Sequence, residues 1–74
     1  MTLCDLKKGE RAVVIKVDLP GEERARLRYL NVYTGSNILL LKVSRMKKTW
    51  LVQAKSAKFA LGREVAAGIR VWRT

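Results

Sequence analysis

Short apolar segments separated by glycine, proline and polar turns run along the whole chain. Five such segments, rich in β-branched or large apolar residues, lie at 11–17, 37–44, 49–54, 58–61 and 69–72. Consecutive apolar residues in the first segment indicate a strand that is covered on both faces. Clean alternation in the last segment places Ile69 and Val71 on one face of a strand. We therefore predict five short β-strands.

Two stretches between these segments favour helix. A Pro-Gly-Glu-Glu sequence beginning at Pro20 suits a helix start, because proline is preorganised there and acidic residues favour the positive end of the helix dipole. Asn31 tolerates the left-handed conformation that often ends a helix, so one short helix is predicted over about 22–30. Gly68 would close a single helical turn over about 62–68.

The number and spacing of these elements indicate the fold class. Five short strands, one short helix and a helical turn in 74 residues predict a mainly β fold. Turns every few residues favour a small closed barrel, in which no strand edge stays unpaired. No internal repeat or linker interrupts the chain, so residues 1–74 are expected to form a single domain. A domain of this length buries roughly 60–65% of its unfolded surface, which leaves a small stability margin.

The chain is strongly basic. Lys and Arg number 16 and Asp and Glu number 6, which gives a net charge of +10, while 49% of the residues are apolar. The longest apolar runs, such as 38–41, are far shorter than the ~20 residues that a membrane-spanning helix requires. A single Cys forms no internal disulfide and no secretory apolar segment is visible. We therefore expect a cytoplasmic protein.

Residues that carry catalysis or hold metals are scarce. The sequence has no His and one Cys, Cys4, so no thiolate–imidazole site for a transition metal is expected. The carboxylates are scattered among Lys and Arg, which disfavours a hard-cation site. No phosphate-binding glycine loop or nucleophile elbow is present. We expect no enzyme activity and no cofactor, with Cys4 acting as a small apolar residue.

Several stretches follow one another in an order that resembles a known family. They are Thr-Leu-Cys-Asp-Leu at 2–6 with Lys-Gly-Glu at 8–10, the strand 12–17, the Arg-rich helix 24–30, the turn 32–35, and the segment 59–66 followed by Ile69 and Val71. This order and spacing resemble the FeoA family, ferrous iron transport protein A, whose module also ends some iron-dependent repressors. Unlike the usual family pattern, Asn31 replaces a Gly and the segment 44–48 is basic.

The resemblance implies a fold and a function. FeoA-like proteins have an SH3-like barrel and no catalysis of their own. They are thought to bind the cytosolic part of FeoB, the GTP-driven ferrous iron transporter. The resemblance therefore implies that this chain docks on the cytosolic GTP-binding domain of FeoB, through a surface that fold analogy alone does not locate.

The second predicted strand offers the first candidate contact residues. It carries four consecutive apolar residues, although a barrel strand needs only one face inward. Leu39 and Leu41 point outward in one register. Ile38 and Leu40 do so in the other. An outward pair would serve a partner contact or a homo-oligomer, unless the predicted helix covers it.

Two basic clusters are the other candidates. The hairpin after this strand carries Arg45, Lys47 and Lys48, with Trp50 just beyond it. Arg24 and Arg28 share a face of the predicted helix, where a solvated pair is the alternative interpretation. The charge would also attract the protein to an anionic membrane surface, by about 1 kcal/mol per Lys or Arg. Such attraction would concentrate it beside a membrane-embedded partner.

Nucleic-acid binding is the alternative function. Small basic β-barrels with aromatic residues commonly bind RNA or DNA, and this chain has Tyr29, Tyr33, Trp50 and Phe59 among its charges. These aromatic residues do not share one strand face, and the basic residues are dispersed. We therefore rank nucleic acid below a protein partner. The detached effector domain of a metal-sensing repressor is a third hypothesis, which the absence of His disfavours.

Overall fold

All five segments predicted as strands lie in one antiparallel sheet in the computed structural model, which describes residues 1–74. In chain order the elements are a 3-10 turn (Leu3–Asp5), β1 (Arg11–Val17), α1 (Gly21–Tyr29), β2 (Asn37–Val43), β3 (Thr49–Ala54), β4 (Ala57–Gly62), α2 (Arg63–Ala67) and β5 (Ile69–Arg73). The order of strands across the sheet is β4-β3-β2-β1-β5. The mainly β architecture with one short helix is confirmed.

The ends of the helices follow the local sequence. α1 begins directly after Pro20. Asn31 adopts the left-handed conformation expected of it, with φ 70°, and the Val32 N–H donates to the Leu27 carbonyl at 2.8 Å. α2 is shorter than predicted, because Gly62 stays extended at the end of β4. Neither helix has the length and apolar character needed to cross a membrane.

The barrel is not closed by strand pairing, so the prediction of full closure was wrong. β4 and β5 are the two ends of the sheet and do not pair with each other. N-terminal residues cover the β5 edge instead. Thr2 forms a bridge with Arg70, and the Val71 N–H donates to the Met1 carbonyl at 3.0 Å. A few residues of extended chain thus protect an edge that would otherwise expose unpaired backbone groups.

A single cluster of 15 buried apolar residues forms the core. Its largest fully buried side chains are Leu3, Leu27, Leu40, Ile69, Val14, Val32, Val52 and Val71. Burying a side chain of this kind contributes about 1.5–3 kcal/mol. Because these residues come from both ends of the chain, from α1 and from the sheet, the core fixes the positions of every element that carries the surfaces described below.

Candidate partner-binding surface

Leu39 and Leu41 lie outside the buried core, which decides between the two registers open for β2. Ile38 and Leu40 are 3% and 0% exposed, whereas Leu39 and Leu41 are half-buried. α1 makes no extended contact with β2. α1 therefore does not cover Leu39 and Leu41. The apolar surface of these two side chains faces solvent and the neighbouring strands.

A β-bulge at Leu41 shapes this part of the sheet. Leu40 pairs with Val52 on β3. The next pair joins Lys42 to Leu51, so Leu41 is an extra residue on β2. A bulge bends its strand and increases the local twist. Leu51 is half-buried like Leu39 and Leu41, and we call these three leucines the β2–β3 face.

The turn between β2 and β3 is tied down by hydrogen bonds from its own residues and from α2. The Ser44 hydroxyl accepts the N–H groups of Lys48 and Thr49, both at 3.0 Å. Arg63 of α2 donates from Nε and Nη2 to the Lys47 carbonyl, at 3.1 and 2.7 Å. The turn is therefore held by a residue of α2, Arg63, that lies 16 positions after Lys47 in the sequence.

This ordered turn presents cations and one apolar side chain to solvent. Arg45, Lys47 and Lys48 are exposed, and Met46 between them is 68% exposed. Both ion pairs of the protein use arginines elsewhere, so these three cations have no carboxylate partner. We call residues 45–48 the hairpin tip. Met46 was not predicted as a contact residue because basic residues flank it in the sequence. Arg63 was not predicted because no sequence pattern links it to the turn.

Trp50 does not belong to this surface, although the sequence placed it beside the hairpin as a contact residue. Its side chain is 3% exposed, and it pairs with Val43 and Leu61 in the sheet. Strand alternation turns it inward, in series with Val52 and Ala54. The indole Nε1–H is buried and has no hydrogen-bond acceptor.

Arg24 and Arg28 line a shallow groove beside α1 together with Tyr33. The Arg28 guanidinium lies 5.8 Å from the centre of the Tyr33 ring, which is within cation–π range. The groove is distinct from the depression lined by Leu39 and from the one lined by Lys47. The arginine pair on α1 is therefore separate from the other two predicted contact groups, which both belong to the β2–β3 hairpin.

A second exposed apolar surface, on β1 and β5, was not predicted. Trp72 is 66% exposed and pairs with Val13 across the sheet. Ile15, the extra residue of a bulge in β1, is 48% exposed. The neighbouring pair joins Lys16 to Arg70. The strict alternation along β5 is the sequence feature that would have located Trp72 on the outer face.

Cys4 is half-buried, and its surroundings do not activate the thiol. Burial raises the pKa of Cys4 above the ordinary thiol value, Asp5 acts in the same direction, and Thr2 and Arg63 oppose them. A raised pKa keeps the thiol protonated and weakly nucleophilic at neutral pH. Its Sγ lies 4.0 Å from the Arg63 carbonyl oxygen. No group of three or more Cys, Asp or Glu side chains is placed to hold a metal ion.

Comparison with solved structures identifies close relatives of this architecture. The FeoA protein from Chlorobium tepidum is 29% identical with a TM-score of 0.92, over 99% of this chain and 70% of that protein. FeoA from Stenotrophomonas maltophilia is 30% identical with a TM-score of 0.82, over 97% of this chain and 89% of that protein. It was solved with zinc and is described as an SH3 domain protein, suggested to act as a ferrous iron transport activating factor.

The remaining comparisons distinguish proteins that share only the fold from the family to which the chain belongs. A manganese-dependent transcriptional repressor matches all of this chain over 36% of its own length, with a TM-score of 0.88 and 17% identity, and so shares the fold alone. No curated protein matches the sequence. The predicted SH3-like fold is confirmed by the Stenotrophomonas protein. Because the FeoA domain family model matches residues 1–73, the chain belongs to the FeoA family.

Proposed function

We propose that the protein is a non-catalytic accessory protein of ferrous iron uptake, which docks in the cytoplasm on the cytosolic GTP-binding domain of the iron transporter FeoB. Membership in the FeoA family supports the association with iron transport. The role suggested for the Stenotrophomonas relative points the same way. The observation that carries the docking proposal is the hairpin tip, which is exposed, basic and fixed by Arg63.

The hairpin tip has the physical properties of a docking element. Its backbone is already ordered by Ser44 and Arg63, so little conformational entropy is lost when a partner binds. The Met46 side chain is unbranched and polarisable, so it can fit apolar pockets of different shapes. The three cations around it accelerate association with an acidic surface and disfavour a basic one. The partner patch should therefore be acidic around a small apolar depression.

The β2–β3 face extends the same hairpin with apolar area. Leu39, Leu41 and Leu51 are half-buried, so each retains surface that a partner would remove from water. A second copy of this chain fits the surface less well, because two molecules of charge +10 repel each other. An acidic partner of a different kind therefore suits it better than a homo-oligomer.

Titration of the purified FeoB GTP-binding domain tests the docking proposal. We expect Lys48→Glu to weaken binding about tenfold, chiefly through a slower association rate, because it reverses a charge at the hairpin tip. Lys58→Glu makes the same charge change at an exposed position on β4 and should leave affinity within about twofold. Equal losses of affinity in both variants would show that binding depends only on the net charge of the protein. That result would contradict docking through the hairpin tip.

Nucleic-acid binding is a second candidate, favoured by the exposed Trp72 beside Arg70 and Lys16. An indole flanked by cations offers one stacking position for a base. Titration with single-stranded oligonucleotides at low and moderate salt tests this candidate. A steep inverse dependence on salt, lost in Trp72→Ala and kept in Lys48→Glu, would favour nucleic acid over the transporter domain.

A further inference from the structure

We propose that one end of the barrel binds the phosphate groups of an anionic ligand, in a depression lined by four lysines. This lysine pocket has a volume of about 500 Å³ and is lined by Lys7, Lys8, Lys42 and Lys47, with Trp50 in its wall. The lysines come from three separate segments: the residues after the 3-10 turn, β2 beyond its bulge, and the hairpin tip. Only the folded chain brings them together.

None of these four lysines forms an ion pair with a carboxylate of the chain. Both ion pairs of the protein use arginines elsewhere. Asp5 is the one acidic residue in the lining, and its carboxylate already accepts the Thr2 N–H at 2.8 Å. Cations gathered around a concave, partly apolar wall focus positive potential into the depression. An anionic ligand would remove their mutual repulsion.

Trp50 adds a second, independent observation. Its Nε1–H is buried without an acceptor, whereas nearly all buried polar groups in proteins are paired. An indole nitrogen only donates, so the missing partner is an acceptor oxygen. Nε1 is closed to solvent in the free protein, so the proposal requires the neighbouring side chains to move when a ligand oxygen accepts its hydrogen bond. The lysines and the indole N–H therefore favour the same kind of ligand, an anion with acceptor oxygens.

Phosphate satisfies both requirements better than a single carboxylate does. It carries more negative charge and more acceptor oxygens, and lysine binds it well as a point charge. The pocket recognises this group whether it belongs to a soluble diphosphate or triphosphate or to a phospholipid headgroup. The inference does not rest on the proposed docking, since Lys7, Lys8 and Lys42 lie outside the hairpin tip.

The chain carries its own control for the experiment, because its two tryptophans occupy different environments. Trp50 lines the lysine pocket, and Trp72 is 66% exposed on β5. We would titrate the ¹⁵N-labelled protein with sodium pyrophosphate at constant ionic strength and follow both indole N–H resonances. The Trp50 resonance should shift in a saturable manner while that of Trp72 stays in place.

Matched variants locate the site. Lys7→Gln with Lys42→Gln removes two pocket charges, and we expect the pyrophosphate dissociation constant to rise at least about tenfold, since each lost charged hydrogen bond is worth about that factor. Lys55→Gln with Lys58→Gln removes two exposed charges, one in the β3–β4 turn and one near the start of β4, and should change the dissociation constant less than about twofold. Equal weakening in both double variants would overturn the proposal.

Vesicles distinguish the two sources of phosphate. Binding to phosphatidylglycerol vesicles but not to phosphatidylcholine vesicles, lost in the pocket double variant, would assign the site to anionic headgroups. Pyrophosphate binding without vesicle binding would assign it to a soluble ligand. A Trp50 resonance that moves with neither probe, or moves together with that of Trp72, contradicts the site. The affinity for the FeoB domain is measured separately and depends on Lys48, so the two proposals fail independently.

Discussion

Arg63 and Lys47 are joined by the contact that orders the hairpin tip. The Arg63 guanidinium donates from Nε and Nη2 to the Lys47 carbonyl oxygen at 3.1 and 2.7 Å, and Nη2 lies 3.4 Å from the Met46 carbonyl. Lys47 has φ 54°, a conformation that a non-glycine residue seldom adopts. A planar fork of donors from α2 therefore braces a turn that is locally unfavourable.

Arg63→Lys tests this brace. A lysine ammonium does not reproduce the fork, so we expect a loss of about 1 kcal/mol in the free energy of unfolding. Faster hydrogen exchange at the turn amides of Lys48 and Thr49 should accompany it. Arg70→Lys is the control, because Arg70 is exposed and makes no side-chain hydrogen bond. Unchanged protection at the turn would show that Ser44 alone holds it.

Gly68→Ala is expected to destabilise the protein through lack of space. A Cβ at this position would overlap the Leu19 side chain and lie 3.0 Å from the Asp18 carbonyl oxygen. Forcing such a contact costs about 1–3 kcal/mol, measured as the free energy of unfolding in urea. Gly62→Ala is the matched control, because no atom beyond its own chain neighbours lies within 4 Å of its Cβ position. Equal urea midpoints for the two variants would contradict the close approach of Leu19.

Much of the fold could be predicted because it depends on local sequence. The five strands follow apolar segments bounded by turn residues, and the left-handed Asn31 follows from the side chain that best tolerates it. The alternation of β5 also determines that Ile69 and Val71 are buried. These features involve residues within a few positions of one another, where propensity and periodicity carry the information.

The surface features could not be predicted in the same way. Trp50 follows the basic hairpin in sequence, yet its register with Leu61 turns it into the core. The bulge at Leu41 shifts the β2–β3 register by one residue, and a single apolar run does not reveal such a shift. The lysine pocket depends on three distant segments meeting. Long-range contacts of this kind leave no periodic pattern in one sequence.

Glu10 makes stability depend on pH. Its carboxylate accepts the Lys7 N–H at 2.6 Å and an Arg73 Nη1–H at 2.8 Å. The Lys7 backbone hydrogen bond first, and then Arg73, lower the pKa of Glu10 below the ordinary glutamate value. A lowered folded-state pKa stabilises the protein above the unfolded value, about pH 4.3, and this contribution is lost as the pH falls through the folded value.

Glu10→Gln measures this contribution. The melting temperature of the variant should lie below that of the unaltered protein at pH 6, and the two should converge as the pH falls through the lowered folded-state pKa of Glu10. Glu64→Gln makes the same substitution at an exposed position of α2 and serves as the control. A Glu10→Gln difference that stays constant with pH would contradict the hydrogen-bonded carboxylate.

Leu40→Asp and Leu41→Asp differ by one position on β2 and should have opposite consequences. Leu40 is 0% exposed, and burying an unpaired carboxylate costs several kcal/mol, enough to unfold a domain of this size. Leu41 is the half-buried extra residue of the bulge, so its replacement should cost about 1 kcal/mol. It should nevertheless weaken binding to the FeoB domain about tenfold or more, because the β2–β3 face loses apolar contact area. Circular dichroism and calorimetric titration of both variants provide the comparison. If Leu41→Asp also unfolds the chain, Leu41 stabilises the core and the β2–β3 face is not a docking surface.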